Sequence, residues 1–203
     1  LEYGPGQDWN LNPRDLANLT KHLWSAYERP LSWQVVNIAS PVEEMEAPIL
    51  FISGSEAASF SSKEVDKLRA YIERGGTILA EASDGSPAFQ RSMEALVERL
   101  FPPGDAPSSR LEELGADHPL FSVIRQEWER HPRLRGVSDG SRLVFLLSDE
   151  YLSGDWQRNL EEKDAFKLAM NLLFYATDLQ TLQGKFATPL PKTPPAEAVE
   201  GAV

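Results

Sequence analysis

The chain has 203 residues, and its 41% hydrophobic and 25% charged residues match an ordinary globular protein. Its net charge of −11 repels phosphate backbones, so we expect no nucleic-acid partner. Cysteine is absent, which excludes disulfides and a cysteine nucleophile, and no apolar run is long enough for a bilayer span.

A first helix is predicted to begin at the Asn12-Pro13 pair. Asn is a favoured N-cap and Pro suits the first helical position. Apolar residues then recur at helical spacing, which predicts one buried face, at Leu16, Leu19, Leu23 and Tyr27. We expect this helix to end at Pro30.

Three further segments have strand patterns. Residues 33–38 are β-rich, and Ile49–Ile52 is apolar at every position, as in a strand covered on both faces. Thr77–Ala80 follows the Gly75-Gly76 pair and is predicted as the next strand. Short loops and helices between these strands favour right-handed crossovers and a largely parallel sheet.

The helices between the strands carry recognisable end signals. Ser61 followed three residues later by Glu64 predicts a capping box. Gly75 is placed for a left-handed C-terminal cap of the same helix. Ser86 before Pro87 predicts the start of another helix, whose buried face is predicted to contain Phe89, Met93, Leu96, Val97 and Leu100.

The second half of the chain is less regular. Residues 105–135 are predicted to be irregular, and a β-hairpin is predicted from Arg135 to Leu147. An aromatic loop, Tyr151–Trp156, precedes the last helix, whose predicted apolar face contains Ala165, Phe166, Ala169, Leu172, Leu173 and Ala176.

The predicted fold class is α/β, an open, mostly parallel sheet flanked by helices, flavodoxin-like, with a C-terminal β-hairpin. Residues 1–182 are predicted as a single domain, and residues 183–203 as a Pro/Ala-rich linker or disordered tail.

Short segments along the whole body resemble a bacterial family of domains of unknown function, number 4159. The matching residues are Tyr3, Gly4, Asp8, Trp9, Gly54, Phe60, Ser61, Arg74–Gly76, Gly85, Ser86, Ala88, Phe89, Asp117–Phe121, Ser148–Tyr151, Gly154, Trp156, Asp164–Phe166, Asn171, Tyr175 and Ala176. The resemblance implies a class I glutamine amidotransferase-like fold, related to ThuA-like proteins. It also implies a place in larger exported or membrane-tethered proteins, and it supplies no activity.

Ligands of open parallel sheets usually bind beyond the carboxyl ends of the strands, where loops converge. The predicted loops at that end are rich in acidic, hydroxyl and aromatic groups and poor in Lys and Arg. The predicted ligand-binding residues are Asp8, Trp9, Gly54, Ser55, Asp84, Gly85, Asp149, Tyr151 and Trp156. The aromatic rings suit a sugar or a peptide strand, or they pack as part of the core.

Ser83 is the candidate nucleophile, since it follows a strand, precedes a helix and has Gly85 two residues later. Glu81 occupies the place of the first Gly of a nucleophile elbow, so the pattern is incomplete. A catalytic Ser needs a base, for which His118 and His131 of the irregular segment are the candidates, and we take His118 as the first of them. The alternatives are a turn serine that caps the helix and a histidine that fixes its loop through a backbone hydrogen bond.

We predict a ligand- or partner-binding module of a larger envelope-associated protein, without catalytic activity and without a cofactor. The partner is a small molecule or a protein that the sequence does not identify. A divergent amidotransferase-like hydrolase using Ser83 and His118 is the alternative. A weaker alternative is a divalent cation, for which oxygen ligands are available at Asp8, Glu81, Asp84, Asp149 and Asp155.

Overall fold

The computed structural model describes residues 1–27, 31–102 and 110–177. The helices in these ranges are α1 (Asp15–Tyr27), α2 (Ser62–Glu73), α3 (Pro87–Leu100), α4 (Leu152–Arg158) and α5 (Asp164–Ala176). The strands are β1 (Ile49–Gly54), β2 (Thr77–Ala82), β3 (Glu112–Glu113), β4 (Leu134–Ser138) and β5 (Leu143–Ser148). The predicted helix stop at Pro30 and the predicted tail, residues 183–203, lie outside the described residues.

The strands form one open mixed sheet in the order β1-β2-β5-β4-β3. β1, β2 and β5 run parallel, with Gly54 beside Ala82 and Glu81 beside Ser148. β4 pairs antiparallel with β5 as the predicted hairpin, and the short β3 adds antiparallel to β4. The predicted fold class is therefore confirmed: an α/β, mostly parallel open sheet flanked by helices, consistent with a flavodoxin-like fold.

The helices cover both faces of the sheet and divide the core in two. The first-face core is the cluster that α2 and α3 form with the sheet. Its buried residues include Leu68, Phe89 and Met93. The second-face core lies under α1, α4 and α5 and includes Trp156 and Phe166. Burial of apolar side chains on both faces explains why β1, β2 and β5 are rich in apolar residues.

The predicted end signals of α2 and α3 are confirmed. Ser61 accepts the Glu64 N–H while the Glu64 side chain accepts the Ser61 N–H, which completes the capping box. Gly75 has φ of 103°, a left-handed conformation that glycine adopts without a steric penalty. Ser86 accepts the N–H of Phe89, and all five residues of the predicted α3 face are buried.

Ser61→Ala should lower the free energy of unfolding by about 1 kcal/mol, because one amide of α2 loses its cap. Urea denaturation measures this change. Ser62→Ala is the matched control, since Ser62 is an exposed residue in the first turn of the same helix, and it should change the stability by less than about 0.5 kcal/mol. Equal losses in both variants would contradict the cap.

Two predicted elements are wrong in detail. α1 begins at Asp15, and Asn12 is not its N-cap, because its side-chain oxygen accepts from Tyr151 Oη instead of from a backbone N–H of α1. The predicted aromatic loop is largely the helix α4, since Leu152 and Trp156, four residues apart, bury the same helical face.

Two other segments differ from the expected pattern. The irregular segment 105–135 contains β3 and a short 3-10 turn at Pro119–Ser122. The β-rich segment 33–38 makes one parallel bridge, between Asn37 and Glu2 at the β1 edge of the sheet. No helix in the described ranges is both long and apolar enough to cross a membrane.

Candidate functional site

The carboxyl ends of β1, β2 and β5 lie side by side, as the parallel pairing requires. The loops that leave these ends, together with the loop before α1, form a continuous edge. We call it the strand-end rim, residues 4–9, 54–56, 83–86 and 148–151. In parallel α/β sheets this edge is the usual position of a ligand.

Asp8 joins two of the rim loops. Its Oδ2 accepts hydrogen bonds from the Ser55 N–H, from Ser55 Oγ and from the Glu56 N–H, the last at 3.1 Å. Its Oδ1 accepts from Tyr3 Oη at 3.2 Å. Partial burial acts to raise the pKa of Asp8, but the hydrogen bonds from Ser55 and Tyr3 outweigh it and hold the pKa below its ordinary value.

Gly54 lets this loop approach Asp8 closely. A Cβ at this position would lie 2.3 Å from Tyr3 Oη and 2.9 Å from both Asp8 Oδ1 and Phe89 Cδ2. These distances are shorter than van der Waals contact, so only a residue without a side chain fits here. The predicted rim residues Asp8, Gly54 and Ser55 are thus brought together by the structure.

The loop after β2 continues the rim toward β5. Asp84 has φ of 52° and Gly85 has φ of 68°, so the chain makes a left-handed turn. Ser86 Oγ donates to the Ser55 carbonyl and ties this turn to the β1 loop. A Cβ on Gly85 would lie 3.9 Å from the Asp149 carbonyl, so the turn adjoins the β5 loop. The side chain of Asp84 is exposed.

Arg135, a residue that the sequence did not indicate, fixes the β5 end of the rim. Its guanidinium donates to Asp149 Oδ1 at 2.9 Å and to Glu94 Oε1 at 2.5 Å. The charge of Asp149 is therefore already paired, and Arg135 joins β4 to α3 and to the rim. Because Arg135 lies inside a predicted strand, no local motif marks it.

A polar cluster, which we call the buried polar cluster, extends from the buried Glu81 and Ser153 to the partly exposed Asn12 and Tyr151. Glu81 is 0% exposed; its Oε2 accepts the Ser153 N–H at 2.7 Å and its Oε1 contacts Ser153 Oγ. Asn12 Nδ2 donates to Ser153 Oγ and to Tyr151 Oη, both at 2.9 Å. Burial raises the pKa of Glu81 to about 8, because a carboxylate there loses its hydration.

The three aromatic residues predicted to bind a ligand occupy different environments. Trp156 is 1% exposed and lies in the second-face core, with its ring centroid 5.5 Å from that of Phe51. Trp9 is partly buried and packs against the first-face core, while its carbonyl accepts from Ser53 Oγ. Tyr151 is partly exposed at the rim, and its hydroxyl also donates to Asn12 Oδ1.

The structure does not bring Ser83 and His118 together. Ser83 is fully buried just beyond the end of β2, and its hydroxyl has no partner among the described residues. His118 lines a cavity with Leu143, whose carbonyl accepts from Thr77 Oγ1 at the other end of β2. The six residues of β2 separate these ends by about 17 Å.

All three histidines are engaged in packing or local hydrogen bonds. His22 pairs with Glu161 at 2.9 Å, and His131 stacks on Phe121 with ring centroids 4.6 Å apart. His118 Nδ1 accepts the Leu120 N–H at 3.1 Å, which confirms the loop-fixing alternative. Ser83 does not cap α3, because Ser86 occupies that position.

The cavity beside His118 has a volume of about 320 Å³ and lies at the opposite end of the sheet from the rim. Its polar lining includes Arg110, Glu112, Glu113 and Asp117. Within the described part of the chain, no three His, Asp or Glu side chains are grouped so that they could hold a metal ion. The five predicted carboxylates therefore do not assemble into a cation site.

Comparison with known proteins finds one family. The family described as "Domain of unknown function (DUF4159)" matches residues 1–177, from the first residue through the end of α5. No curated protein matches the chain. The match covers the strand-end rim and the buried polar cluster together.

Proposed function

We propose that this chain, which belongs to the DUF4159 family, is a ligand- or partner-binding module without catalytic activity of its own. The proposed site is the strand-end rim. The proposal includes a place in a larger envelope-associated protein and a single domain over residues 1–182. Cellular fractionation of the full-length protein tests the first of these, and limited proteolysis tests the second.

The observation that carries the proposal is the set of hydrogen bonds accepted by Asp8. They hold the loop before α1 and the loop after β1 in one conformation, and Ser86 adds the loop after β2. Loops fixed before binding lose less conformational entropy when a ligand arrives, which favours affinity. The exposed groups Glu56 and Asp84 stand at the edge of this fixed frame.

The chemistry of the rim favours a ligand that offers hydrogen-bond donors. Its exposed groups are acidic, and the nearby cation Arg135 is engaged with Glu94 and Asp149. Like charges would repel a phosphate or a nucleotide. A sugar, through its hydroxyl groups, or a basic peptide segment, through its amides and ammonium groups, supplies donors to carboxylate oxygens.

A divergent amidotransferase-like hydrolase remains the alternative, and the geometry weighs against it. Acyl transfer requires a base within hydrogen-bond reach of the serine hydroxyl. His118 lies at the other end of the sheet, and Ser83 Oγ has no hydrogen-bond partner among the described residues. The strand, left-handed turn and helix at Ser83 support the proposed glutamine amidotransferase-like relationship at the level of fold alone.

A thermal-shift screen of neutral sugars, basic peptides and nucleotides tests the binding role. At a concentration of 100 Kd, a ligand should raise the melting temperature by about 5–10 °C. We expect the increase with a sugar or a basic peptide, and we expect Asp84→Ala to reduce it. Asp117→Ala is the matched control, because this exposed carboxylate lines the cavity at the opposite end.

Two results would overturn the proposal. One is an unchanged melting temperature across the sugars and peptides. The other is release of 4-nitrophenol from 4-nitrophenyl acetate that Ser83→Ala abolishes, since that would make Ser83 a nucleophile. If Asp117→Ala abolished the thermal shift and Asp84→Ala preserved it, the ligand site would be the cavity beside His118 rather than the rim.

A further inference from the structure

Glu81 is a carboxyl group in the middle of the sheet. It lies in β2 between Ser53 of β1 and Ser148 of β5. Because side chains alternate along a strand, it shares the face of Leu79, which is the second face, under α1, α4 and α5. The whole residue is 0% exposed.

The contacts of Glu81 anchor the first turn of α4. Both carboxyl oxygens contact Ser153, one through its N–H and the other through its hydroxyl. Ser153 Oγ also accepts from Asn12, whose amide bonds Tyr151 at the rim. Through this buried polar cluster, one carboxyl group joins β2, α4 and the loop before α1.

The surroundings of Glu81 disfavour its ionised form. The charged group that acts on it from the facing elements is Asp15 of α1, which is itself a carboxyl group. Burial raises the pKa of Asp15 to about 6, while the hydrogen bond from the Leu16 N–H opposes the rise. The Ser153 hydroxyl and the amides of Leu152 and Ser153 donate to Glu81 and favour its ionised form, but burial outweighs them. A buried carboxylate without a cation is strongly unfavourable.

We propose that Glu81 is a protonation-dependent latch for α4. The neutral carboxyl group holds Ser153 and the first turn of α4 against the sheet. Loss of the proton to solvent leaves a carboxylate that requires water, and the first turn of α4 separates from β2 to admit it. Because Tyr151 and Asn12 belong to the same cluster, the β5 side of the rim loosens with α4.

The direction of the pH effect follows from the shift in proton affinity. Burial raises the pKa of Glu81 from 4.5 to about 8, so the folded chain binds this proton more tightly than the unfolded chain does. The latch is therefore fully closed below pH 4.5, and its contribution is lost progressively as the pH rises from 4.5 to about 8. Most proteins owe their acid sensitivity to carboxylates with the opposite shift.

Hydrogen exchange of the Ser153 amide, which donates directly to Glu81, tests the latch by NMR. We expect its protection factor, corrected for the intrinsic exchange rate, to fall by up to tenfold per pH unit between pH 4.5 and about 8 and to level off at higher pH. Amides of α2, on the other face of the sheet, should show no such fall. In Glu81→Gln the protection of Ser153 should be independent of pH, because the amide group does not ionise.

Two further variants separate the latch from a purely structural role. Asp15→Asn removes the neighbouring carboxyl group, lowers the pKa of the closed Glu81 and should therefore move the pH at which the fall levels off to a lower value. Glu98→Gln, at an exposed position of α3, is the matched control and should leave the profile unchanged. If Glu81→Gln does not fold, a ¹³C NMR titration of the Glu81 carboxyl carbon in the unmodified protein decides the question.

Each outcome counts for or against the latch. Titration of the Glu81 carboxyl carbon near pH 8 supports it, and titration near pH 4.5 overturns it. An identical pH profile of Ser153 protection in the unmodified protein and in Glu81→Gln also overturns it. None of these readouts requires a ligand, so the latch and the proposed binding role can fail independently.

Discussion

Trp156→Ala should lower the free energy of unfolding by about 3–5 kcal/mol, the range for removal of a large buried aromatic side chain. Trp156 is 1% exposed, and its ring packs against Phe51 in the second-face core. α4 has seven residues, and a helix of that length depends on tertiary packing. We therefore expect α4 to lose most of its attachment to the sheet in this variant.

Urea denaturation followed by circular dichroism measures the effect of Trp156→Ala. Trp24→Ala is the matched control, because Trp24 is 54% exposed on α1, and it should change the free energy of unfolding by less than about 0.5 kcal/mol. Should Trp156→Ala not fold, the smaller truncation Trp156→Phe replaces it. If Trp156→Ala kept its stability but no longer bound the ligand, Trp156 would be a binding residue, as the sequence predicted, and not a core residue.

Local patterns in the sequence predicted the regular elements well. The apolar run Ile49–Ile52 and the segment Thr77–Ala80 are adjacent parallel strands, as expected of strands covered on both faces. Ser61 and Glu64 form the predicted capping box. These features depend on residues close together in the chain, which is why one sequence is sufficient to predict them.

Features that depend on distant contacts were not predictable in the same way. Asn12 has the chemistry of an N-cap, but its side-chain oxygen accepts from the hydroxyl of Tyr151, 139 residues away. Trp156 has the chemistry of a binding residue, but packing against Phe51 of β1 buries it in the second-face core. In both cases tertiary contacts override a local preference.

The candidate site also contains some features that local patterns predict and others that depend on distant contacts. Parallel pairing of β1, β2 and β5 gathers Asp8, Ser55, Gly85 and Asp149 at one edge, as the strand pattern implied. The distance between Ser83 and His118 depends on where the long irregular segment packs, and no spacing in the sequence reports that. One signal was available for the buried cluster: a Glu within the apolar run of β2.

Asp8→Ala should lower the free energy of unfolding by about 2–3 kcal/mol, because hydrogen bonds to a charged acceptor are lost and donors of the β1 loop are left unpaired. The Ser55 N–H and the Glu56 N–H lose their acceptor, while Tyr3 Oη keeps the Ser53 carbonyl. Asp66→Ala is the matched control, since its exposed ion pair with Arg69 contributes about 0–1 kcal/mol. Chemical denaturation at pH 7 compares the two variants.

The pH dependence of Asp8→Ala separates the charge from the shape of the side chain. The hydrogen bonds from Ser55 hold the pKa of Asp8 below 3.8, so its contribution is present above that pH and is lost as the pH falls through the lower, folded value. The stability difference between the unmodified protein and Asp8→Ala should therefore be constant from pH 5 to pH 7 and shrink below pH 3.8. A difference that stayed constant down to pH 2 would mean that the carboxylate charge does not hold the rim, and the preformed frame on which the binding proposal depends would then need another origin.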